Sequence, residues 1–349
     1  MRADLSGTGR TALCVRRADP HSPGDVHAVC ALLQLHLGTG PEAAQARYEW
    51  LYRRNPHGPA LTLLAQEPNG AVVGVTSLFP RRVRVGGRVL TGAIGGDGFV
   101  RPAWRRRGVA TRLHQAALAN MAEAGIDFMF GPPEPYNLRA LLRAGARVVG
   151  QVVRHSRILR LPPGPPRWLD ALAARVLAPR PSDLEVVALG AEPDPRVDQV
   201  CAAALRDTPE AEEVLPLSDA AYVAWRFAAA PSGRQVPVLL LAAGQPVAVA
   251  ALERAGAQVA ILSLVCSPSL RPRALGALLW ACADAERVTI QVHLPDPAWQ
   301  RDLYRLAFLP RQSKPFQVQV RPGLPEAPLL LRPSAWRYLW GDGDVDAVL

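Results

Sequence analysis

The segment Val100-Arg101-Pro102-Ala103-Trp104-Arg105-Arg106-Arg107-Gly108-Val109-Ala110-Thr111-Arg112-Leu113 decides how the rest of the chain is interpreted. Its pattern predicts the end of a strand, a tight basic turn and the start of a helix. Gly108 permits a close backbone turn where the helix begins, and the first N–H groups of any helix have no intrahelical partner. Those donors and the positive helix end are suited to bind a phosphate or pyrophosphate. The alternative is an ordinary basic turn before an amphipathic helix.

The composition indicates a globular protein with more than one domain. A chain of 349 residues is long for a single core. The longest apolar tract, 236–252, is interrupted by Gly244-Gln245-Pro246 and is typical of two strands and a turn. No segment has the length and hydrophobicity of a transmembrane helix, and no secretory signal is evident. We therefore expect a cytoplasmic protein without membrane association.

The net charge of +10 raises the possibility of nucleic-acid binding. The positive charge is almost entirely arginine, with Lys314 as the sole lysine, and its densest runs are only 81–84 and 105–107. Aromatic residues do not interleave with these runs as a stacking platform requires. Nucleic-acid binding is therefore disfavoured. The five cysteines show no CxxC spacing and the seven histidines are dispersed, so no metal site is predicted.

The first half of the chain reads as a strand, two helices, an antiparallel meander and then strand–helix–strand crossovers. Asp25 or Ser22 is expected to cap the first helix, and Gly38 to end it. The last two strands are predicted to form a hairpin. The predicted segments are strand 11–18, helices 26–37 and from 41, strands 61–66, 72–79, 82–85, 88–94 and 99–100, a helix after Gly108, buried strand 126–130, helix 137–144, and strands 146–153 and 155–161.

An internal repeat divides the chain. Trp50, Pro56 and Gly58 are matched at one constant separation by Trp225, Pro231 and Gly233. Each set stands at the end of a predicted helix that leads into two strands, which favours a duplication. The proline-rich stretch 161–166 marks the boundary. The predicted organisation is a first domain at 1–160, a linker with a short helix at 161–183, a second domain at 184–322 and a tail at 323–349.

Two motifs in the first half resemble those of the GCN5-related N-acetyltransferase (GNAT) superfamily. Val100-x-Pro102 with Arg105-x-x-Gly108-x-Ala110 is similar to that family's acyl-CoA pyrophosphate loop, R/Q-x-x-G-x-G/A. The segment Asn137 to Gly145, followed by Ala146, resembles its later motif of an Asn, a short helix and a Gly-aromatic pair. The resemblance covers about 11–160 and, more faintly, 184–320. It implies an α+β (α/β three-layer) fold of two GNAT-like domains, each with a mixed, mostly antiparallel central sheet flanked by helices.

The resemblance also implies acetyl-CoA or another acyl-CoA as co-substrate, with no metal. The pyrophosphate would be held by successive backbone N–H groups and by positive charge from the arginines, and the pantetheine arm would run beside the strand end. Asn137 would bond the pantetheine or orient the later helix. The positions implied are Phe99 and Val100 for the arm, Arg105, Arg106 and Arg107 for charge, and Arg107, Gly108, Val109, Ala110 and Thr111 for the N–H groups.

The chemistry requires a group that removes a proton from the attacking amine and donors for the oxyanion. Asp97, just before Phe99-Val100, is the best-placed base, because glycines and apolar residues surround it in the sequence. The alternative is an Asp in a glycine turn. Glu134 and Tyr136 follow the buried strand and are weaker catalytic candidates, with loop and helix-cap roles as the alternative.

Several positions depart from the family pattern. Leu141 stands where the family commonly has a tyrosine general acid, and Ala146 replaces the aromatic residue. The second half keeps Pro268-x-x-Arg271 but continues with Pro272-Arg273-Ala274-Leu275, without the glycine, and proline supplies no N–H. We therefore predict a degenerate second domain. The predicted function is an acyl-CoA-dependent N-acyltransferase, transferring acetyl from acetyl-CoA to a primary amine of a small molecule or peptide. The alternative is an inactive acyl-CoA-binding or scaffold protein.

Overall fold

The fold is described from a computed structural model, which describes residues 13–161, 177–207, 212–293 and 297–343. The predicted short helix near 168–177, except its last residue, and most of the predicted linker 161–183 fall on 162–176, outside the described residues. The same holds for the end of the predicted tail, beyond 343.

The first half follows the predicted order of elements. Asp25 N–H donates to the Ser22 side chain, so Ser22 is the cap of the first helix, and Gly38 ends that helix in the left-handed conformation. The elements are β1 (Cys14–Arg17), α1 (Pro23–Leu37), α2 (Pro41–Arg47), a π-helix (Tyr48–Arg53), β2 (Leu61–Gln66), β3 (Val72–Val85), β4 (Arg88–Val100), a 3₁₀ turn (Pro102–Trp104), α3 (Val109–Met121), β5 (Phe128–Gly131), α4 (Pro135–Arg143) and β6 (Arg147–Ile158).

The second half repeats this order with similar elements and then adds a tail. Its elements are β7 (Glu185–Ala188), α5 (Pro195–Arg206), β8 (Val214–Pro216), α6 (Ala220–Val223), a π-helix (Ala224–Ala228), β9 (Gln235–Ala242), β10 (Gln245–Ala255), β11 (Gln258–Cys266), a 3₁₀ turn (Pro268–Leu270), α7 (Arg271–Ala281), β12 (Arg287–His293), α8 (Pro297–Arg305) and β13 (Leu309–Val320). The tail holds α9 (Ala327–Leu330) and two 3₁₀ turns (Pro333–Ala335 and Trp340–Asp342).

Within the described residues the strands form one mixed sheet of 13 strands flanked by helices, which confirms the predicted fold class. Their order is β1-β2-β3-β4-β5-β13-β6-β12-β11-β10-β9-β7, with β8 paired to β3. The parallel pairs are β4–β5 and β11–β12, one in each half, and the other pairs are antiparallel.

The halves exchange their last strands. The hairpin predicted within 146–161 is wrong, because that segment is the single strand β6, which pairs with β12 of the second half. Residues 152–157 contain no Gly, Asn or Asp to make the two-residue turn that a hairpin needs. In return β13, the last strand of the second half, lies between β5 and β6. Each half therefore completes the sheet of the other.

The two halves also meet in a reciprocal contact. Trp50 donates from its indole N–H to the Trp225 carbonyl at 2.8 Å, and Trp225 donates to the Trp50 carbonyl at 2.9 Å. The two residues are 175 positions apart and stand in the two π-helices. Such reciprocity is the property of an isologous interface between two copies of one unit. The structure thus agrees with a duplication, whereas the exact domain boundaries stay predictions.

Candidate functional site

A wedge opens in the first half where its two parallel strands part. β4 and β5 pair from Gly92–Phe128 to Ile94–Phe130. β5 ends one residue later, while β4 continues to Val100. A cavity of about 310 Å³ lies in this wedge, between the two strands and the helices α3 and α4. Its lining includes Gly96, Asp97, Met129, His114, Asn137 and Leu141.

A β-bulge in β4 forms one side of the wedge. Ser77 pairs with Gly96 and Val75 with Phe99, so Thr76 alone faces two residues, Asp97 and Gly98. Asp97 adopts φ 52°, in the left-handed region. A bulge interrupts the regular ladder of hydrogen bonds and redirects the strand. Peptide groups at this point of β4 are therefore available to a molecule in the wedge.

Asp97 lies in surroundings that differ from those predicted. Its carboxylate is fully buried and paired with Arg47, whose Nη2 lies 2.6 Å from Oδ1. Tyr52 donates to Oδ2 at 2.9 Å, and burial, together with the negative charge of Asp97, raises the pKa of Tyr52 so that the phenol stays protonated. The expectation of apolar neighbours was wrong because α2 and the π-helix, remote in sequence, place these donors beneath the bulge.

The basic turn has the geometry that the opening segment predicts. Arg106 and Gly108 both have positive φ, 60° and 79°, and α3 begins at Val109 without a side-chain cap. Its first intrahelical bond runs from the Arg112 N–H to the Gly108 carbonyl at 3.1 Å. The N–H groups of the first helical residues therefore have no intrahelical acceptor. Those residues are Val109, Ala110 and Thr111.

The turn is tied to the end of β4. Arg105 donates from Nε to the Val100 carbonyl at 3.0 Å, and its guanidinium lies 5.5 Å from the centre of the Phe99 ring. The Arg107 guanidinium lies over the Trp104 ring, 5.2 Å from the ring centre. The structure thus brings together the strand end and the basic turn, as the motif predicts. The three arginines are exposed, so they add positive charge at the surface beside the helix start.

Asn137, at the start of α4, bonds a residue that the sequence interpretation missed. His114 Nε2 lies 2.9 Å from Asn137 Oδ1. Burial lowers the pKa of His114, which favours the neutral ring near pH 7. We assign Nε2 as the protonated nitrogen, because the amide oxygen can only accept. His114 was overlooked because it stands in the helical pattern of α3 without a motif of its own.

Glu134 and Tyr136 lie at the mouth of the cavity. The Glu134 carboxylate is about half exposed and pairs with Lys314 at 2.9 Å. Tyr136 is 75% exposed. Both residues border the predicted cleft, together with Asp97 and Asn137. The partner Lys314 belongs to β13, so the second half reaches this mouth.

The corresponding wedge of the second half is filled by the tail. β11 and β12 pair up to Ile261–Ile290 and then part. Leu339 forms an antiparallel bridge to Val292 inside the gap. Gly341 packs so closely that a Cβ there would stand 2.8 Å from the Leu262 carbonyl oxygen. A cavity of about 360 Å³ remains beside the tail.

The helix start in the second half also differs. The 3₁₀ turn leads directly into α7 at Arg271, with no glycine turn between them. Arg271 is buried and pairs with Asp302 at 2.8 Å. Among the described residues, no group of His, Cys, Asp or Glu is arranged to hold a metal ion. Nor does any helix in the described ranges have the length and apolar character needed to cross a membrane.

Comparison with known proteins finds one matching family model and several similar solved structures. The sequence model of the acetyltransferase (GNAT) domain matches residues 17–149. No curated protein matches the sequence. Similar solved structures include a GCN5-related N-acetyltransferase from Anabaena variabilis ATCC 29413, 13% identical with a TM-score of 0.63, covering 88% of this chain and 73% of that one. Another, from Kribbella flavida, is 15% identical with a TM-score of 0.60, covering 91% and 72%.

A tandem GNAT protein from the clavulanic acid biosynthesis pathway is also similar, at 16% identity and a TM-score of 0.55, covering 88% of this chain and 98% of that one. At such identities the structural likeness shows the fold alone, while the sequence match shows the domain. The wedge, the bulge and the glycine turn all lie within the matched residues. The sequence match thus identifies residues 17–149 as similar to the acetyltransferase (GNAT) domain, and the solved structures show the same fold over most of the chain.

Proposed function

We propose that the chain is an acyl-CoA-dependent N-acyltransferase with one active site, in the wedge between β4 and β5. The reaction would transfer acetyl from acetyl-CoA to a primary amine of a small molecule or peptide. The observation that carries the proposal is that β4 connects the two parts of the site. Its bulge at Asp97 lines the cavity, and beyond its end a short 3₁₀ turn leads to the uncapped helix N-terminus behind Gly108.

The residues at the helix start fit a pyrophosphate. A Cβ at Gly108 would enter open space, so the room in front of the helix is free, and uncapped N–H groups favour an anion. We assign the pyrophosphate to the backbone of Gly108, Val109, Ala110 and Thr111, with charge from Arg105, Arg106 and Arg107. The pantetheine arm would follow the backbone at Phe99 and Val100 and meet the Asn137 amide.

The bulge provides the electrostatic part of the chemistry. The thioester supplies an activated acyl group, and the amine nitrogen forms a bond to its carbonyl carbon as the C–S bond breaks. Preorganised N–H groups are strong stabilisers of the oxyanion that develops, and we assign this role to the peptide groups of the bulge, whose residues line the cavity. The thiol leaves with little assistance, because its pKa is about 8.5. Leu141 in place of a tyrosine is compatible with such a reaction.

The proton of the substrate ammonium needs an acceptor. The Asp97 oxygens already accept bonds from Arg47 and Tyr52, and the side chain is fully buried. Glu134 lies at the mouth, where solvent reaches it. We therefore assign Asp97 to holding the bulge and Glu134 to accepting the proton through water, which reverses the order predicted from the sequence. Tyr136 lies at the same mouth, and we assign it to the part of the site where the amine that receives the acyl group binds.

Thermal unfolding with acetyl-CoA and with free CoA tests the binding half of this proposal. A ligand at a hundred times its Kd stabilises the folded state by about 2.7 kcal/mol, which raises the Tm by several degrees. Calorimetric titration should give one CoA per chain. An unchanged Tm with every CoA species would contradict the proposal.

Turnover is tested by release of the CoA thiol from acetyl-CoA with a panel of primary amines. Glu134→Gln should lower turnover at unchanged CoA affinity, whereas Tyr304→Phe, at an exposed residue of the second half, serves as control. Binding of CoA without turnover on any amine would favour the inactive acyl-CoA-binding alternative. The cytoplasmic location and the absence of a nucleic-acid partner stay predictions.

A further inference from the structure

The exchanged strand β13 carries a polar residue into the site of the first half. Gln317 pairs with Gly131, the last residue of β5, and lines the same cavity as Asp97 and Asn137. Gly131 has no side chain, and a Cβ there would meet nothing within 4 Å. The end of β5 therefore leaves the path between Gln317 and the wedge open.

The alternation of β13 explains why Gln317 lies on this face. Phe316 and Val318 belong to the core cluster that contains Trp336 and Phe130. Residues between them must therefore point to the opposite face, the face covered by α3 and α4. Gln319, next on that face, donates to the Ala144 carbonyl at the end of α4, at 2.6 Å.

Gln317 and Gln319 differ in how they are satisfied. Both are buried, with 3% and 2% exposure. Gln319 has its acceptor at the end of α4, but Gln317 Oε1 is buried and has no hydrogen-bond partner among the residues that the structure describes. Buried polar atoms without partners are uncommon in folded proteins and each calls for an explanation.

His114 adds a second such atom to the cavity. Its Nε2 bonds Asn137, while its Nδ1 is buried and unpartnered within the described part of the chain. In the neutral tautomer assigned above, Nδ1 is an acceptor. The cavity is therefore bordered by two buried acceptors, on β13 and on α3, and their complement is a ligand with N–H donors.

We propose that Gln317 and His114 accept hydrogen bonds from N–H groups of the molecule bound in the wedge, so that the second half supplies a ligand-contacting residue to the site of the first half. The proposal rests on the proposed function, which puts acyl-CoA and an amine in this cavity. The N–H donors are either the amide groups of the pantetheine arm or the substrate amine that receives the acyl group. It also gives the second half a role that does not require a second active site.

The test compares Gln317→Leu with Gln319→Leu, two substitutions of the same chemistry on one face of one strand. CoA affinity is measured by calorimetric titration, and Tm is measured for each variant. A second measurement follows the consumption of acetyl-CoA with hydroxylamine as the amine and gives the KM for hydroxylamine. Gln317→Met, which keeps the length of the side chain, provides a variant in case leucine impairs folding.

If the donors are pantetheine amides, Gln317→Leu and Gln317→Met weaken CoA binding about tenfold, which corresponds to about 1.4 kcal/mol. If the donor is the amine, CoA binding stays constant and the KM for hydroxylamine rises by a similar factor. His114→Leu should change the same constant, CoA affinity or KM, as the Gln317 variants do. Gln319→Leu lowers the Tm and leaves both constants within twofold.

Equal affinities and equal KM values in wild type, Gln317→Leu and Gln319→Leu would overturn the inference while leaving the proposed function in place. A wild-type chain that does not bind CoA at all would refute both. A loss of affinity in Gln319→Leu as large as in Gln317→Leu would also count against the inference, because it would show a general effect of perturbing β13.

Discussion

The two wedges of this chain share one plan and differ in what occupies them. In both halves two parallel strands part after a few pairs, and in both a bulge interrupts the neighbouring antiparallel pairing. In the first half a cavity adjoins the bulge at Asp97. In the second half the tail packs on the bulge, with Gly341 against the Leu262 carbonyl.

In the second half, the loss of the glycine turn and the filling of the wedge by the tail occur together. The half that lacks the glycine turn is also the half whose wedge holds the chain's own backbone. The tail is packed against the rest of the protein. Trp336 is fully buried against Phe130 and Phe316, and Asp342 pairs with Arg81 at 3.2 Å. The tail therefore fills the gap between the parting strands of the second half and leaves a cavity of about 360 Å³ beside it, whereas in the first half the cavity of about 310 Å³ lies in the gap itself.

Gly108→Glu should break the first wedge most completely. We expect CoA binding to fall below detection, because a carboxylate at the helix start would occupy the place of the pyrophosphate and repel it. A residue with a side chain at φ 79° costs about 1–2 kcal/mol, so the protein should still fold. The measurement is calorimetric titration with CoA.

Gly108→Ala is the matched control for that experiment. It introduces the same backbone strain into open space but adds no charge, and it should keep CoA affinity within a few-fold. If Gly108→Glu bound CoA as wild type does, the pyrophosphate would lie elsewhere and the comparison between the two helix starts would lose its meaning.

Asp97→Asn should have the next largest effect, on stability. Removing one charge from a buried ion pair costs about 3–5 kcal/mol, and this substitution removes the carboxylate charge that faces Arg47 beneath the bulge. Urea denaturation provides the free energy of unfolding. Tyr52→Phe removes the hydroxyl that donates to Asp97 and accepts from Ser77 at 3.4 Å, leaves the ion pair in place and should cost about 1 kcal/mol. Equal, small losses in both variants would show that Arg47 finds another partner.

Much of the first half could be predicted from the sequence. The basic turn, the start of α3 and the short helix α4 follow from local signals, namely a glycine with positive φ and hydrophobic spacing at helical period. The repeat at Trp50 and Trp225 was also visible, and the structure gives it a physical meaning in their reciprocal hydrogen bonds.

What could not be predicted depends on contacts between distant segments. The exchange of β6 and β13 leaves no local signal, because the alternation of side chains along a strand does not specify which other strand it pairs with. The Arg47–Asp97 pair joins residues 50 positions apart, and Gln317 enters the first site from the second half. The tail in the second wedge is likewise invisible to local patterns, since Gly341 looks like an ordinary turn residue.

Gly341→Ala tests whether the second wedge is really closed by the tail. A Cβ at this position would stand 2.8 Å from backbone, and overpacking of this kind costs about 1–3 kcal/mol. We expect a lower free energy of unfolding and an unchanged CoA affinity, because the first wedge is not touched.

Gly276→Ala is the control in the same half. Gly276 lies within α7 with open space around its Cα, and replacing a mid-helix glycine by alanine stabilises by about 0.5–1 kcal/mol. The two substitutions are chemically identical and should change stability in opposite directions. A Gly341→Ala variant as stable as wild type would mean that the tail can leave the wedge at no cost, and the second half would then be open to a ligand.

The smallest effect is expected from a pair of charge reversals at equivalent places in the two halves. Arg107 and Arg273 each follow the proline of a 3₁₀ turn at the same distance, in front of α3 and within the first turn of α7. Arg107→Glu should weaken CoA binding about tenfold, or about 1.4 kcal/mol, because a positive charge near the phosphates becomes a negative one. Arg273→Glu breaks an exposed ion pair with Asp183 and should leave CoA affinity within twofold.

Both variants change the net charge equally, so a long-range effect of charge would appear in both, and it would be screened by salt. Repeating the titrations at low and high ionic strength separates the two cases: a loss confined to Arg107→Glu places the phosphates at the first helix start, whereas equal losses in both variants would mean that the two halves do not differ as anion sites.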